Sequence, residues 1–101
     1  MLRALFGSGP KVDIAGSLEA GATVLDVRTP AEFSGGHVRG SINIPLDKLA
    51  ANLHRIPKDK PVIACCQSGM RSGQAIKTLT EHGFTAHNGG SWRNVERHLA
   101  G

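Results

Sequence analysis

The sequence predicts an α/β layered fold with a mostly parallel sheet. Short apolar, β-branched runs at residues 23–27 (Thr-Val-Leu-Asp-Val) and 62–64 (Val-Ile-Ala) read as strands buried on both faces, the usual state of parallel strands. Such runs alternate with segments whose apolar residues recur at helical spacing, which is how crossover helices join parallel strands. In sheets of this kind ligands sit beyond the carboxyl ends of strands. Asp26 and Cys66 both fall at such ends.

Taken in order, Val12 and Asp13 read as a short first strand, and residues 14–20 as a short helix anchored by Leu18 and closed by Gly21. The second strand, 23–27, contains Asp26. A carboxylate in a buried strand has to be paired or hydrogen-bonded. A helix start follows, with three agreeing signals: Thr29 as N-cap, Pro30 in the first helical position and Glu32 completing a capping box. Phe33 turns this helix inward and Gly35-Gly36 ends it. Ile42 and Ile44 flank Asn43 in a short strand stopped by Pro45. Asp47 then caps a helix whose apolar face is Leu49, Ala50 and Leu53. Pro61 introduces the strand at 62–64. Beyond it Ala75, Ile76 and Leu79 mark a helix stopped by Gly83. Residues 84–87 form the fifth strand, Asn88-Gly89-Gly90 a turn, and Ser91 caps a last helix carrying Trp92, Val95 and Leu99.

With 101 residues, 40% hydrophobic and 20% charged, the chain has ordinary globular composition and room for one core. The expected organisation is an N-terminal arm, 1–10, and a single domain, 11–101. No apolar run approaches the ~20 residues of a membrane span, and the arm lacks the apolar core of a signal peptide. No membrane role is expected. A net charge of +4 with scattered Lys and Arg, no Tyr and a single Trp argues against nucleic-acid binding and fits modest attraction for small anions. The two cysteines, Cys65 and Cys66, are adjacent and cannot staple the fold, so a reducing, cytoplasmic setting is expected. His37, His54, His82, His87 and His98 match no zinc spacing; no metal and no cofactor is expected.

The chemistry-bearing stretch is 62–73. Cys66 stands where a buried strand ends, and four residues separate it from Arg71 and a helix beginning near Ser72. Backbone N–H groups of Gln67, Ser68, Gly69, Met70 and Arg71 can curl around the sulfur, and the helix adds unpaired N–H groups and the positive end of its dipole. Such a site stabilises a thiolate, or an anion carried on it. A cation at a helix N-terminus opposes the dipole, so Arg71 makes sense where an anion lies between it and the amides. Neighbouring strand residues face opposite ways, so Cys65 points into a core layer and is inert; a resolving or protective thiol is the alternative.

Leu25-Asp26-Val27-Arg28, Glu32-Phe33, the run from Gly36 to Pro45, the run from Cys66 to Ser72 and Gly89-Gly90-Ser91-Trp92, in this order and spacing, resemble a single-domain rhodanese, a sulfurtransferase. The resemblance implies a five-stranded, mainly parallel sheet flanked by helices on both faces. It implies transfer of a sulfane sulfur from thiosulfate or a related donor to cyanide or a thiol, through a persulfide on Cys66, with ping-pong kinetics. Carried over by position, Cys66 is the nucleophile, and Gln67, Ser68, Gly69, Met70 and Arg71 form the substrate-binding loop. Asp26, Arg28, Glu32 and His37 match positions that brace the floor of the site. The partners implied are a small anionic sulfur donor and a thiol or cyanide acceptor; a thioredoxin or a cysteine desulfurase would also suit the site. Trp92 and the apolar N-terminal residues offer a contact.

Two other functional classes are weighed against this one. A Cys-dependent phosphatase or arsenate reductase resembles it, but such enzymes have five residues between Cys and Arg and a His before the nucleophile. Here there are four residues, and Cys65 stands before the nucleophile. The shorter ring suits one added sulfur rather than a tetrahedral oxyanion. A sulfur-relay or non-catalytic rhodanese-like binding module is the other alternative; inactive relatives usually lack the cysteine that this chain keeps.

Overall fold

The computed structural model of the chain describes residues 13–100. Four strands form one sheet: β1 (Thr23–Asp26), β2 (Ile42–Asn43), β3 (Val62–Cys66) and β4 (Ala86–Ser91), in spatial order β2-β1-β3-β4, every pair parallel. The helices are α1 (Ile14–Glu19), α2 (Pro30–Ser34), α3 (Met70–Glu81) and α4 (Trp92–Ala100).

Side-chain alternation along the two central strands builds a core on each face of the sheet. Leu25, Val62, Ala64 and Cys66 pack with Ala75 and Leu79 of α3 and with Phe84. Val24, Ile63 and Cys65 point the other way, against Trp92 and Val95 of α4, with Leu18 of α1 at the margin. Each fully buried aliphatic side chain here, such as Leu25 or Ile63, contributes about 1.5–3 kcal/mol.

Several expectations change. The sheet has four strands among the described residues, not five. The expected first strand loses its place because Asp13 is the N-cap of α1, its carboxylate accepting from Gly16 N–H at 2.9 Å; Val12 and the arm 1–10 lie outside the described residues. The helix expected after Pro45 is two separate 3-10 turns, Leu46–Lys48 and Leu53–Arg55, with Asn52 in a non-helical conformation between them. Leu46 N–H is held by the Val27 carbonyl at 3.1 Å, Leu49 N–H bonds three residues back, and Asp47 caps nothing.

Asn88-Gly89-Gly90 is not a turn. It lies within β4, where a register shift leaves Gly89 between the pairs Ala64–Asn88 and Cys65–Gly90. A Cβ on Gly89 would stand 2.6 Å from Val95 Cγ2 and 2.8 Å from Ile63 Cγ2, so only glycine lets α4 close on the sheet there. Leu99 is 47% exposed rather than core-facing. Trp92, offered above as a contact residue, is buried, its ring under the Arg28 guanidinium at 5.0 Å.

Candidate active site

The site lies at the carboxyl ends of β1 and β3. Only Gln67, Ser68 and Gly69 separate β3 from α3, which begins at Met70, two residues before the predicted start. Gly69 is the N-cap with φ +102°, and a Cβ there would also approach Gly90 Cα at 3.4 Å. This left-handed kink turns the chain back over the cysteine.

Cys66 Sγ receives Gly69 N–H at 2.9 Å and Ser72 N–H at 3.4 Å, and lies 3.4 Å from Ser72 Oγ. Burial pushes the thiol up. The Ser72 hydroxyl, when its hydrogen turns to the sulfur, and the N–H groups of Ser72, Gly69 and Ser68 pull it down and prevail, so its pKa lies below the ordinary value. These N–H groups form a cradle narrower than the predicted ring of Gln67 to Arg71: Gly69 belongs to that ring and Ser72 lies just beyond it. Gln67, Ser68 and Met70 are exposed around it, Met70 by 75%. Cys66 itself is 1% exposed, beneath them.

Arg71 has a resident counter-charge. Its guanidinium donates to both carboxylate oxygens of Glu32, at 2.7 and 3.0 Å. Glu32 also closes the capping box of α2, accepting from Thr29 N–H at 2.9 Å. The ion pair with Arg71, then these bonds, lower the Glu32 carboxyl to about 2. The cation at the start of α3 is thus tied to the start of α2, 39 residues away. Beside Arg71 opens a cavity of about 280 Å³ walled by Val27, Pro45 and Leu46, with Thr29 and Asp47 also lining it.

Below the site Asp26 and Arg28 form a buried fork: Arg28 Nε donates to Oδ1 at 2.9 Å and Nη2 to Oδ2 at 2.7 Å. Arg28 Nη2 also reaches the Gly36 carbonyl at 2.7 Å. This answers the requirement that a carboxylate in a buried strand be paired. His37 is exposed, its ring stacked on Phe33 at 3.7 Å, and it does not reach the cysteine loop. Cys65 lies in the opposite core layer. Burial first, then the Asp26 carboxylate, pushes its thiol up to about 12. Among the described residues no three His, Cys, Asp or Glu side chains are grouped to hold a metal, and no helix is long and apolar enough to cross a membrane.

Two side chains of the site, the Ser72 hydroxyl and the Asn88 amide, escape a reading of the sequence. Ser72 looks like an ordinary first-turn serine, and Asn88 sits in an apparent turn. Ser72 Oγ donates to Asn88 Oδ1 at 2.7 Å, and Asn88 Nδ2 donates to the Gly69 carbonyl at 3.0 Å. The signal for Asn88 was its position just past the carboxyl end of the strand expected at 84–87, where ligand sites of such sheets lie.

The family model described as "Rhodanese-like domain" matches residues 12–95. The chain is 48% identical over 64 residues to the uncharacterized protein YqhL of Bacillus subtilis (strain 168); that match covers 63% of this chain and 51% of YqhL, so the chain spans about half the length of that relative. It is 36% identical over 74 residues to thiosulfate sulfurtransferase PspE of Escherichia coli (strain K12), covering 70% of this chain and 71% of PspE. Among solved structures, a rhodanese-related protein from Thermoplasma volcanium superposes with a TM-score of 0.73 at 30% identity, over 86% of each chain.

Proposed function

The chain belongs to the rhodanese-like domain family, and from that membership and the cradle geometry we propose that it is a sulfurtransferase carrying sulfane sulfur as a persulfide on Cys66. The observation that supports this most is Cys66 Sγ at the end of a buried strand, met by Gly69 N–H at 2.9 Å and Ser72 N–H at 3.4 Å. These donors sit at the N-terminus of α3, where the helix dipole favours negative charge. A relative named thiosulfate sulfurtransferase points to thiosulfate as donor.

The Cys66 thiolate attacks the outer sulfur of thiosulfate. A sulfur–sulfur bond forms to Sγ, the sulfur–sulfur bond within thiosulfate breaks, and sulfite leaves with the electron pair. The terminal sulfur of the persulfide is then attacked by cyanide or a thiolate, which takes it and returns the Cys66 thiolate. Glu32 occupies one edge of Arg71 and leaves its remaining N–H groups to hold the sulfonate end of the donor while attack occurs. The amides are pre-aimed at the anionic sulfur, so no reorganisation accompanies its appearance. Because Cys66 is 1% exposed, the exposed Gln67 and Ser68 are the surface a donor meets first.

Intact mass after incubation with thiosulfate alone tests the reading. The expected result is a gain of one sulfur on the wild type with stoichiometric sulfite, before any acceptor is added. Absence of both sinks the thiosulfate mechanism. Sulfur relay between proteins is the second reading, favoured by the exposed Met70 at the rim of the loop. Loading by a desulfurase or another persulfide donor, but not by thiosulfate, would select it.

A further inference from the structure

Asn88 stands beside the cradle without touching the sulfur, and its amide orientation is determined by its neighbours. Gly90 N–H donates to one end at 2.9 Å, so that end is Oδ1; the other end meets the Gly69 carbonyl at 3.0 Å, so it is Nδ2. Oδ1 has no hydrogen, so the Ser72 hydroxyl 2.7 Å away must donate to it. A hydroxyl has a single hydrogen to give. What Ser72 Oγ then offers Cys66 Sγ, at 3.4 Å, is a lone pair. That suits a thiol S–H and repels a thiolate.

We propose that Asn88 is a positioning residue that keeps the Ser72 hydroxyl hydrogen off Cys66, so that the hydroxyl serves the sulfur only when a sulfur anion draws it from the amide. The resting chain runs from Cys66 S–H to Ser72 Oγ–H to Asn88 Oδ1. When the Cys66 proton leaves for solvent, the hydroxyl rotates about its Cβ–Oγ bond. Its hydrogen bond to Oδ1 breaks and one to the sulfur forms; no covalent bond changes besides S–H. The other end of the same amide, bonded to the Gly69 carbonyl, keeps the loop closed meanwhile.

The charged and titratable groups around the sulfur are few. Arg71 of α3 is paired with Glu32 of α2, Asp26 and Arg28 of β1 close on each other, and Cys65 faces the opposite layer. On β4, His87 precedes Asn88 and projects from the other side of the strand. None of them bonds to Asn88, so a substitution at position 88 reaches the sulfur by two routes, the Ser72 hydroxyl and the Gly69 loop whose N–H meets Sγ at 2.9 Å, and the Ser72→Ala background separates them.

This inference rests on Cys66 being the reactive thiol of the proposed function. Its test needs no sulfur donor, so a protein unable to accept sulfur would still report on Asn88. The measurement is the pH dependence of iodoacetamide alkylation and of thiolate ultraviolet absorbance, made on a Cys65→Ala protein so that Cys66 is the reporting thiol. Asn88→Ala frees the hydroxyl, so below the titration midpoint alkylation should quicken by about threefold to tenfold, the worth of one hydrogen bond. Asn88→Asp offers a stronger acceptor and a negative charge, and should slow it. With Ser72→Ala in place, Asn88→Ala should change the rate by less than about twofold. Slower or unchanged alkylation in Asn88→Ala, or the same acceleration without the Ser72 hydroxyl, overturns the proposal. Should Asn88→Ala not fold, Asn88→Asp decides alone: alkylation as fast as the parent overturns it.

Discussion

Cys65 and Cys66 are covalent neighbours in one strand, and the sheet gives them opposite chemistry. Both are almost fully shut off from solvent, so exposure does not separate them. Their surroundings do. Cys65 faces Val24, Val38 and Trp92, with the Asp26 carboxylate nearby and, among the described residues, no N–H aimed at its sulfur, and its thiol is pushed up to about 12. Cys66 faces the start of α3, where desolvation is milder than at Cys65 and N–H groups from a kinked loop outweigh it. Reactivity at a strand end is a matter of which layer the side chain enters, and of whether a helix begins in that layer.

The sharpest way to break this contrast is to exchange the two thiols for hydroxyls. Cys66→Ser should abolish sulfur loading completely, while Cys65→Ser should load and turn over within about twofold of wild type. A buried hydroxyl lacking a good partner would still cost about 1–3 kcal/mol of stability. Intact mass and sulfite release read the first effect, and denaturant melts the second. Equal loss of loading in both variants would give Cys65 the resolving role and end the contrast.

The pH dependence of alkylation sharpens it next. Cys66 should react at pH values below those of an ordinary thiol, since its thiolate is the stabilised form. Cys65 should stay unmodified until the chain unfolds, its thiolate being available only near pH 12. Peptide mapping after alkylation across the pH range separates the two sites. Modification of Cys65 in the folded protein near neutrality would show that its layer is open to reagent.

What the sequence shows of all this follows the range of the interactions involved. The strand at 62–64, the capping box of Thr29 and Glu32, and the opposed directions of Cys65 and Cys66 are local, and local patterns are legible. The helix expected from Leu49, Ala50 and Leu53 was not formed, because Leu46 N–H is drawn to the Val27 carbonyl of a neighbouring segment. Asn88-Gly89-Gly90 has turn composition, yet packing of Val95 against Ile63 demands glycine inside a strand. The partners of Ser72 and Arg71, 16 and 39 residues distant, leave no local pattern at all. The sequence suggested an anion facing Arg71; that the protein supplies one itself required the three-dimensional arrangement.

The buried fork under Cys65 offers a third test, smaller in its effect on the chemistry. Arg28→Ala leaves the Asp26 carboxylate buried and uncompensated, and should cost about 3–5 kcal/mol of stability. It also removes the one nearby charge that lowers Cys65, so that thiol becomes still less acidic. If Cys66 answers chiefly to its own layer, its alkylation profile in the variant should stay close to wild type at temperatures where the variant is folded. A large displacement of the Cys66 profile would mean that the two layers are electrically coupled through the sheet, and that the contrast between the cysteines is one of degree.

The smallest effect is expected at Glu32. Its carboxyl, ordinarily near 4.5, lies at about 2 in the folded protein because Arg71 and the Thr29 cap favour the charged form. A depressed acid stabilises the fold fully above its unfolded pKa and loses that contribution as pH falls toward the folded value. Wild type should therefore melt above Glu32→Gln at neutral pH, and the gap should close progressively below pH 4.5 as the carboxylate is protonated. Both partners are about one-third exposed, so the gap should also shrink as salt is added. Freed from Glu32, Arg71 has more to offer an anionic donor, and KM for thiosulfate should fall by roughly twofold to threefold with little change in kcat. A raised KM would instead show that Glu32 aims Arg71 at the donor, making the ion pair part of the site's construction and not a competitor within it.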